Sequence, residues 1–190
     1  MRKLIVFGAL AIAVIWFQNR SRPDALDEAW KRITLPYQVI RLSMQEPDAV
    51  LLMPVHRARV ARVADTWQAP RSGGRRHEGL DILVARGTPV YSSTRGIVVR
   101  AGANKLGGNS VFVLGPGGRT YYYAHLDAYA EGIDAGQRVD TGTVLGYVGN
   151  TGNARGTPPH LHFGVYTAGG AMNPLPLLAD RRAPSGRLGL

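Results

Sequence analysis

The sequence predicts an all-β fold class, a compact antiparallel β-sheet domain of sandwich-like or barrel-like form. Three observations predict it. From about residue 70 the chain breaks into short β-rich runs separated by glycine turns: DILVA, TPVYS, GIVVRAG, SVFVLG, RTYYYAHL, TVLGYVG and HLHFGVY. No helical period runs through this region. In the last run Leu161, Phe163 and Val165 alternate with His160, His162, Gly164 and Tyr166, the two-residue period of a strand with one buried face.

The elements before this region differ in texture. Arg2 and Lys3 precede an uninterrupted apolar run, residues 4–17, followed by Gln18, Asn19 and Arg20. A charged start and a run of this length match an export signal, and the run is shorter than the roughly 20 residues of an ordinary spanning helix. No small-residue cleavage site follows, so residues 1–20 read as a signal-anchor in preference to a cleaved signal peptide. Either form places the remainder outside the cytoplasm. Residues 24–34 carry Ala25, Leu26, Ala29, Trp30 and Ile33 at helical spacing, with acidic residues early and basic ones late, as the helix dipole favours. Residues 21–53 form a lead-in in which QVIRL and AVLLM are candidate short strands. The main domain spans residues 54–178, and the polar residues 179–190 read as a flexible tail.

The chain has 190 residues, 23 basic against 13 acidic, a net charge of +10, and no cysteine. Any metal must therefore be held by nitrogen and oxygen ligands. The positive charge suits an anionic partner, whether nucleic acid, membrane headgroups or a cell-wall polymer. No recognition helix or RNA-binding signature accompanies it, and an exported chain does not meet nucleic acid as its normal partner.

Four of the five histidines, His77, His125, His160 and His162, fall in the main domain. Prolines 158 and 159 disfavour a helix running into His160, so His160 and His162 share one face of a strand. Alone, that pair is equally a metal site, a catalytic pair or a surface accident. His77 and Asp81, in HEGLD, lie on a loop entering a strand. With one histidine of the pair they supply two nitrogens and one oxygen, a three-ligand zinc set that leaves a position for water. The other histidine of the pair and His125, which follows Tyr121–Tyr123 near an expected strand end, are free to move a proton or stabilise an oxyanion.

These motifs carry a resemblance. GGRRHEGLDI, RGTPVYS, YYYAHL and GNTGNARGTPPHLHFGVY, in this order, resemble the M23 (lysostaphin/LytM-like) zinc endopeptidases of peptidoglycan over the whole β-domain. The resemblance implies a sheet folded around a central groove. It implies one Zn2+ held by His77, Asp81 and His162, with His125 and His160 as the catalytic pair. Spacing alone does not say which of His160 and His162 is the ligand. The implied partners are peptidoglycan peptide stems, with the inner membrane contacted through residues 4–17, a periplasmic location, and no nucleic acid. The style of the last motif is closer to members that cut peptide cross-links than to those that cut glycyl bridges.

Two rival classes bear on this. Some relatives without the ligand set only activate other wall hydrolases, whereas this chain retains the set. GQRVDTGTVLGYVG is loosely like a biotinyl or lipoyl carrier, but Lys105, the one lysine after Lys31, lacks the displayed-turn setting such modules need. Arg71, Arg75 and Arg76 are either a solvated loop or an attraction for anionic wall polymer. Tyr121–Tyr123 are either packing or groove lining. His56 reads as a surface residue, and Asn109 as part of a turn governed by its backbone.

Overall fold

Glycine and proline divide the chain into short extended runs. The computed structural model, which describes residues 34–56 and 58–181, folds these runs as strands. In chain order they are β1 (Leu51–Leu52), β2 (Leu80–Leu83), β3 (Pro89–Tyr91), β4 (Gly96–Asn104), β5 (Gly108–Leu114) and β6 (Thr120–Tyr129). There follow β7 (Arg138–Val139), β8 (Val144–Val148), β9 (His160–Thr167), β10 (Gly170–Met172) and β11 (Leu178–Ala179). All seven runs singled out in the sequence appear among them. The ones missed, β7, β10 and β11, have only two or three residues, too few for a period to show.

The chain forms two compact units, residues 1–38 and 39–190. Of the first, only residues 34–38 are described, and they are helical. The same helix, α1, covers residues 34–43 and so includes QVIRL, which the sequence reading took as a candidate strand. Five mostly apolar residues fit either state, and Leu42 is the buried contact that this helix supplies. AVLLM does contain a strand, β1. The expected hydrophobic helix, the lead-in residues 24–33 and residues 182–190 lie outside the described residues. No described helix is long and apolar enough to cross a membrane.

Nine strands make one sheet in the order β10-β9-β6-β5-β4-β7, with β2 on β9, and β8 joining β3 to β6. All of its pairs are antiparallel. The strand β9 lies inside it, paired with β2 on one edge and β6 on the other. Its alternation is realised: Leu161, Phe163 and Val165 are fully buried against Tyr121, Tyr123, Val111 and Val113. The histidines are thereby turned to the opposite face. Pairing begins at His160, as the two prolines before it require, because proline has no N–H to give to a ladder.

The described lead-in braces this sheet. β1 pairs in parallel with β11, and Leu51, Met53 and Val55 enter the core. Residues 179–181 are also held: Ala179 is in β11, and the Arg181 guanidinium donates to the carbonyls of Met53, Ser92 and Thr141. The tail expected from residue 179 therefore starts with residues packed on the domain.

Tyr123 shows how the core accepts a polar atom. Its ring is buried and its hydroxyl accepts the Ser93 backbone N–H at 2.9 Å. Tyr123→Phe leaves that N–H unpaired in the interior, at a cost of about 1–3 kcal/mol. Urea denaturation should show this as a lower midpoint with an unchanged slope; an unchanged midpoint would mean that the hydrogen bond contributes nothing.

Candidate metal and catalytic site

Register places the first groups. In the β2–β9 ladder Asp81 lies directly opposite His162, and Leu83 opposite His160. Both histidines and Asp81 therefore face one side of the sheet. His77 precedes β2 on a loop whose backbone is paired: its N–H donates to the Ala69 carbonyl, and its own carbonyl accepts the Gln68 N–H. The two segments meet because residue 79 is glycine. A Cβ there would lie 2.6 Å from the Phe163 carbonyl oxygen and 2.8 Å from the His162 ring.

The convergence is tight. His77 Nε2 is 2.9 Å from His162 Nδ1 and 3.1 Å from Asp81 Oδ1, and His162 Nδ1 is 3.2 Å from that same oxygen. Among the described residues, these three form the group able to hold a metal ion. The Nδ1–H of His77 donates to the Thr66 carbonyl at 2.8 Å, which leaves a lone pair on Nε2 of the neutral ring. That lone pair faces a carboxylate oxygen. Two acceptors at this distance repel unless a proton or a cation lies between them. Tetrahedral zinc with bonds of about 2.0–2.1 Å sets its ligand atoms about 3.3 Å apart, so this nitrogen–nitrogen–oxygen set fits such an ion.

Electrostatics agree. Burial acts to raise the Asp81 carboxyl, but the His162 and His77 rings and the Arg71 guanidinium against it overcome this and hold the group well below the usual carboxylate range. Burial likewise holds His162 below its ordinary value, against the pull of Asp81. Asp81 Oδ2 takes the Arg71 guanidinium, and the Asp81 N–H donates to Thr66 Oγ1 at 3.3 Å. Thr66 thus holds two of the three residues.

His160 and His125 flank this group. His160 Nδ1–H donates to the Pro158 carbonyl at 2.9 Å, and its Nε2 is 3.9 Å from Asp81 Oδ1. His125 Nδ1–H donates to the Thr151 carbonyl at 2.9 Å, and its ring centre lies 5.0 Å from that of His160. In both rings a backbone carbonyl takes Nδ1, so Nε2 is the nitrogen left for the groove. His125 is pushed down to about 4, first by burial and then by the two neighbouring imidazoles, so it is neutral near pH 7. Its position corrects the sequence reading: β6 does not end there but continues to Tyr129. In the β5–β6 ladder Asn109 pairs with Leu126 and Val111 with Tyr123, so two residues of β6 oppose Ser110 alone. His125 has φ of +64° at this bulge, which re-aims its side chain without ending the strand.

All five sequence-selected residues, His77, Asp81, His125, His160 and His162, line one groove of about 570 Å³. Tyr122 lines it as well, whereas Tyr121 and Tyr123 are buried on the core face. Arg71, Arg75 and Arg76 are at the groove, but Arg71 is committed to Asp81. Asn109 is structural: its N–H donates to Thr151 Oγ1 and its amide to the Asp127 carbonyl. His56 is outside the groove, half-buried, with its ring edge-on to Tyr91. Sequence reasoning missed the contributions of Thr66, Thr151 and Pro158. They act on the histidines through carbonyl oxygens, which every residue has, so no residue type marks them.

The model of peptidase family M23 matches residues 75–174. The chain belongs to that family. It is 42% identical over 112 residues to an L-Ala–D-Glu endopeptidase of Bacillus subtilis, covering 55% of this chain and 34% of the relative. Csd3 of Helicobacter pylori superposes with a TM-score of 0.56 at 31% identity, over 74% of this chain and 37% of that one. The catalytic domain of lysostaphin from Staphylococcus simulans does so with a TM-score of 0.54 at 29% identity, over 62% of this chain and 92% of that one. The chain spans about a third or less of the curated relatives it matches, 34% of the Bacillus protein and 24% of a Neisseria DD-carboxypeptidase/endopeptidase. The M23 fold of the neighbours agrees with the all-β reading of the sequence.

Because a methyl at residue 79 would press on the His162 ring, Gly79→Ala should weaken any binding of a divalent metal ion by this group about tenfold or more, the loss typical when such a ring's support is disturbed. Competition with a chromogenic chelator measures this. Wild-type affinity in the variant would show that the ring does not need that space.

Proposed function

We propose that the chain is a zinc-dependent endopeptidase that hydrolyses peptide cross-links of bacterial peptidoglycan. The observation that carries this reading is the meeting of His77 Nε2, Asp81 Oδ1 and His162 Nδ1 within 3.2 Å, with the His125 and His160 imidazoles beside them. Membership of family M23 supports the peptidase part. Endopeptidases of the wall among the relatives, such as the peptidoglycan DD-endopeptidase ShyA of Vibrio cholerae, support the substrate.

In this reading His77, Asp81 and His162 hold the ion, one per chain. When bound, zinc supplies a Lewis acid for the peptide carbonyl and lowers the pKa of water to near neutrality. The residues do the rest. Arg71 and Thr66 keep Asp81 in place, and the Thr66 carbonyl keeps His77 in the tautomer whose Nε2 is free. His160 and His125 are locked into the same tautomer by the carbonyls of Pro158 and Thr151, so each offers Nε2 to the groove. As the catalytic pair, one takes a proton from the attacking water at Nε2 and returns it to the departing amine, while the other stabilises the oxyanion.

We place this activity outside the cytoplasm, in the periplasm, with residues 4–17 anchoring the chain in the inner membrane. The charged start and the apolar run with no small-residue cleavage site after it support that placement. An alkaline phosphatase reporter fused to residue 190 should be active and should sediment with membranes. An inactive reporter would retract the export reading, and an active but soluble one the anchor.

His162→Ala and Asp81→Ala should each lose both zinc and cleavage of defined muropeptides. His160→Ala should keep zinc while kcat falls about 10²–10⁴-fold. Metal content by mass spectrometry and product analysis with and without chelator read the two effects separately. Loss of metal in His160→Ala with retention in His162→Ala would reverse the assignment of ligand and catalyst.

A further inference from the structure

Beyond the five residues, the groove has a floor that runs away from the metal group across the sheet. Along the ladders, Gly164 of β9 pairs with Tyr122 of β6, Tyr122 with Phe112 of β5, and Phe112 with Arg100 of β4. The side chains are in contact along this row. Tyr122 is edge-on to His162 at 5.7 Å, Phe112 stacks on Tyr122 at 4.4 Å, and the Arg100 guanidinium sits 5.8 Å from the Phe112 ring centre. Three strand spacings of about 4.8 Å put β4 about 14 Å from β9.

Arg100 reaches this face by a specific device. Val98 pairs with Val113, and Arg100 with Phe112, so Val99 is an extra residue with no partner in β5. Val98 is fully buried in the core. In a regular strand residue 100 would share the face of residue 98 and point the same way. The bulge reverses that parity and turns Arg100 to the groove. Four arginines, Arg71, Arg75, Arg76 and Arg100, line the groove against two carboxylates, Asp81 and Glu78. Arg71 is taken by Asp81, Arg75 donates to the Ser72 carbonyl and Arg76 to the Gln68 carbonyl. Among the described residues no carboxylate forms an ion pair with Arg100. Arg100 is exposed, its guanidinium lies over the Phe112 ring, and among the described residues none accepts a hydrogen bond from it.

We infer that Arg100 is a specificity-determining residue that takes a free carboxylate of the peptide lying along the Tyr122–Phe112 row. The groove thereby selects carboxylate-bearing stem peptides over neutral, glycine-only bridges. This rests on the peptidase reading and names the substrate class for the same site. An aromatic row buries the methyl and methylene groups of side chains, which a glycine strand lacks, and a planar guanidinium meets a carboxylate with two parallel hydrogen bonds.

The test uses the full-length, zinc-loaded chain and two synthetic cross-linked stem peptides, identical except that one has its side-chain and α-carboxylates amidated. Wild type should cut the free-carboxylate peptide with kcat/KM about tenfold or more above the amidated one, chiefly through KM. In Arg100→Gln that ratio should fall toward one, and Arg100→Lys, which keeps charge but not the planar fork, should lie between. A wild-type ratio of one, or a ratio unchanged in Arg100→Gln, overturns the inference. Calorimetric binding of both peptides to the zinc-loaded His160→Ala protein separates this from the peptidase reading. Selective binding of the free-carboxylate peptide without cleavage by wild type would sink the peptidase reading and leave the carboxylate site standing. Cleavage without selectivity would sink only the site.

Discussion

The pairing of β2 with β9 is the constraint on which the site depends. It sets Asp81 opposite His162, and a slip of one residue would turn Asp81 to the other face, among Leu161, Phe163 and Val165. The buried alternation of β9 guards against that slip, because the same shift would put its apolar residues into the groove. Core packing and ligand geometry are therefore one decision. The close approach of the loop before β2 at Gly79 then brings His77 to the same point.

A second layer holds the imidazoles in their working form. Backbone carbonyls of Thr66, Thr151 and Pro158 each accept from an Nδ1–H, so His77, His125 and His160 all present Nε2. His162 alone turns Nδ1 inward. Carbonyls suit this task because they cannot donate, so the tautomer follows from geometry alone. Burial and the mutual proximity of the rings oppose protonation at His125, as burial does at His162. The single carboxylate among them remains charged because the His162 and His77 rings and the Arg71 guanidinium lie against it.

Two β-bulges on neighbouring ladders do comparable work. One re-aims His125 within β6, and the other brings Arg100 out of the core face of β4. Each inserts a residue that breaks the two-residue period. A reading based on that period has no means of seeing them, which is why His125 was expected at a strand end and Arg100 was not singled out. QVIRL is helical for a different reason, since three apolar residues among five are compatible with both states.

The sequence by itself determined the seven main strands of the β-domain, the shared face of His160 and His162, the strand start after Pro159, and the nitrogen–oxygen chemistry of any metal in a chain without cysteine. Those follow from local covalent facts: side-chain alternation, the missing N–H of proline and residue composition. Spacing left His160 and His162 equivalent, and the tertiary structure brings His162 into contact with both His77 and Asp81. It also decided which carbonyls lock the rings, that Tyr122 faces the groove while its neighbours are buried, and that Arg100 ends the aromatic row. The physical reason is that each of these depends on register between distant strands, and register is a property of pairs of segments that no single segment encodes.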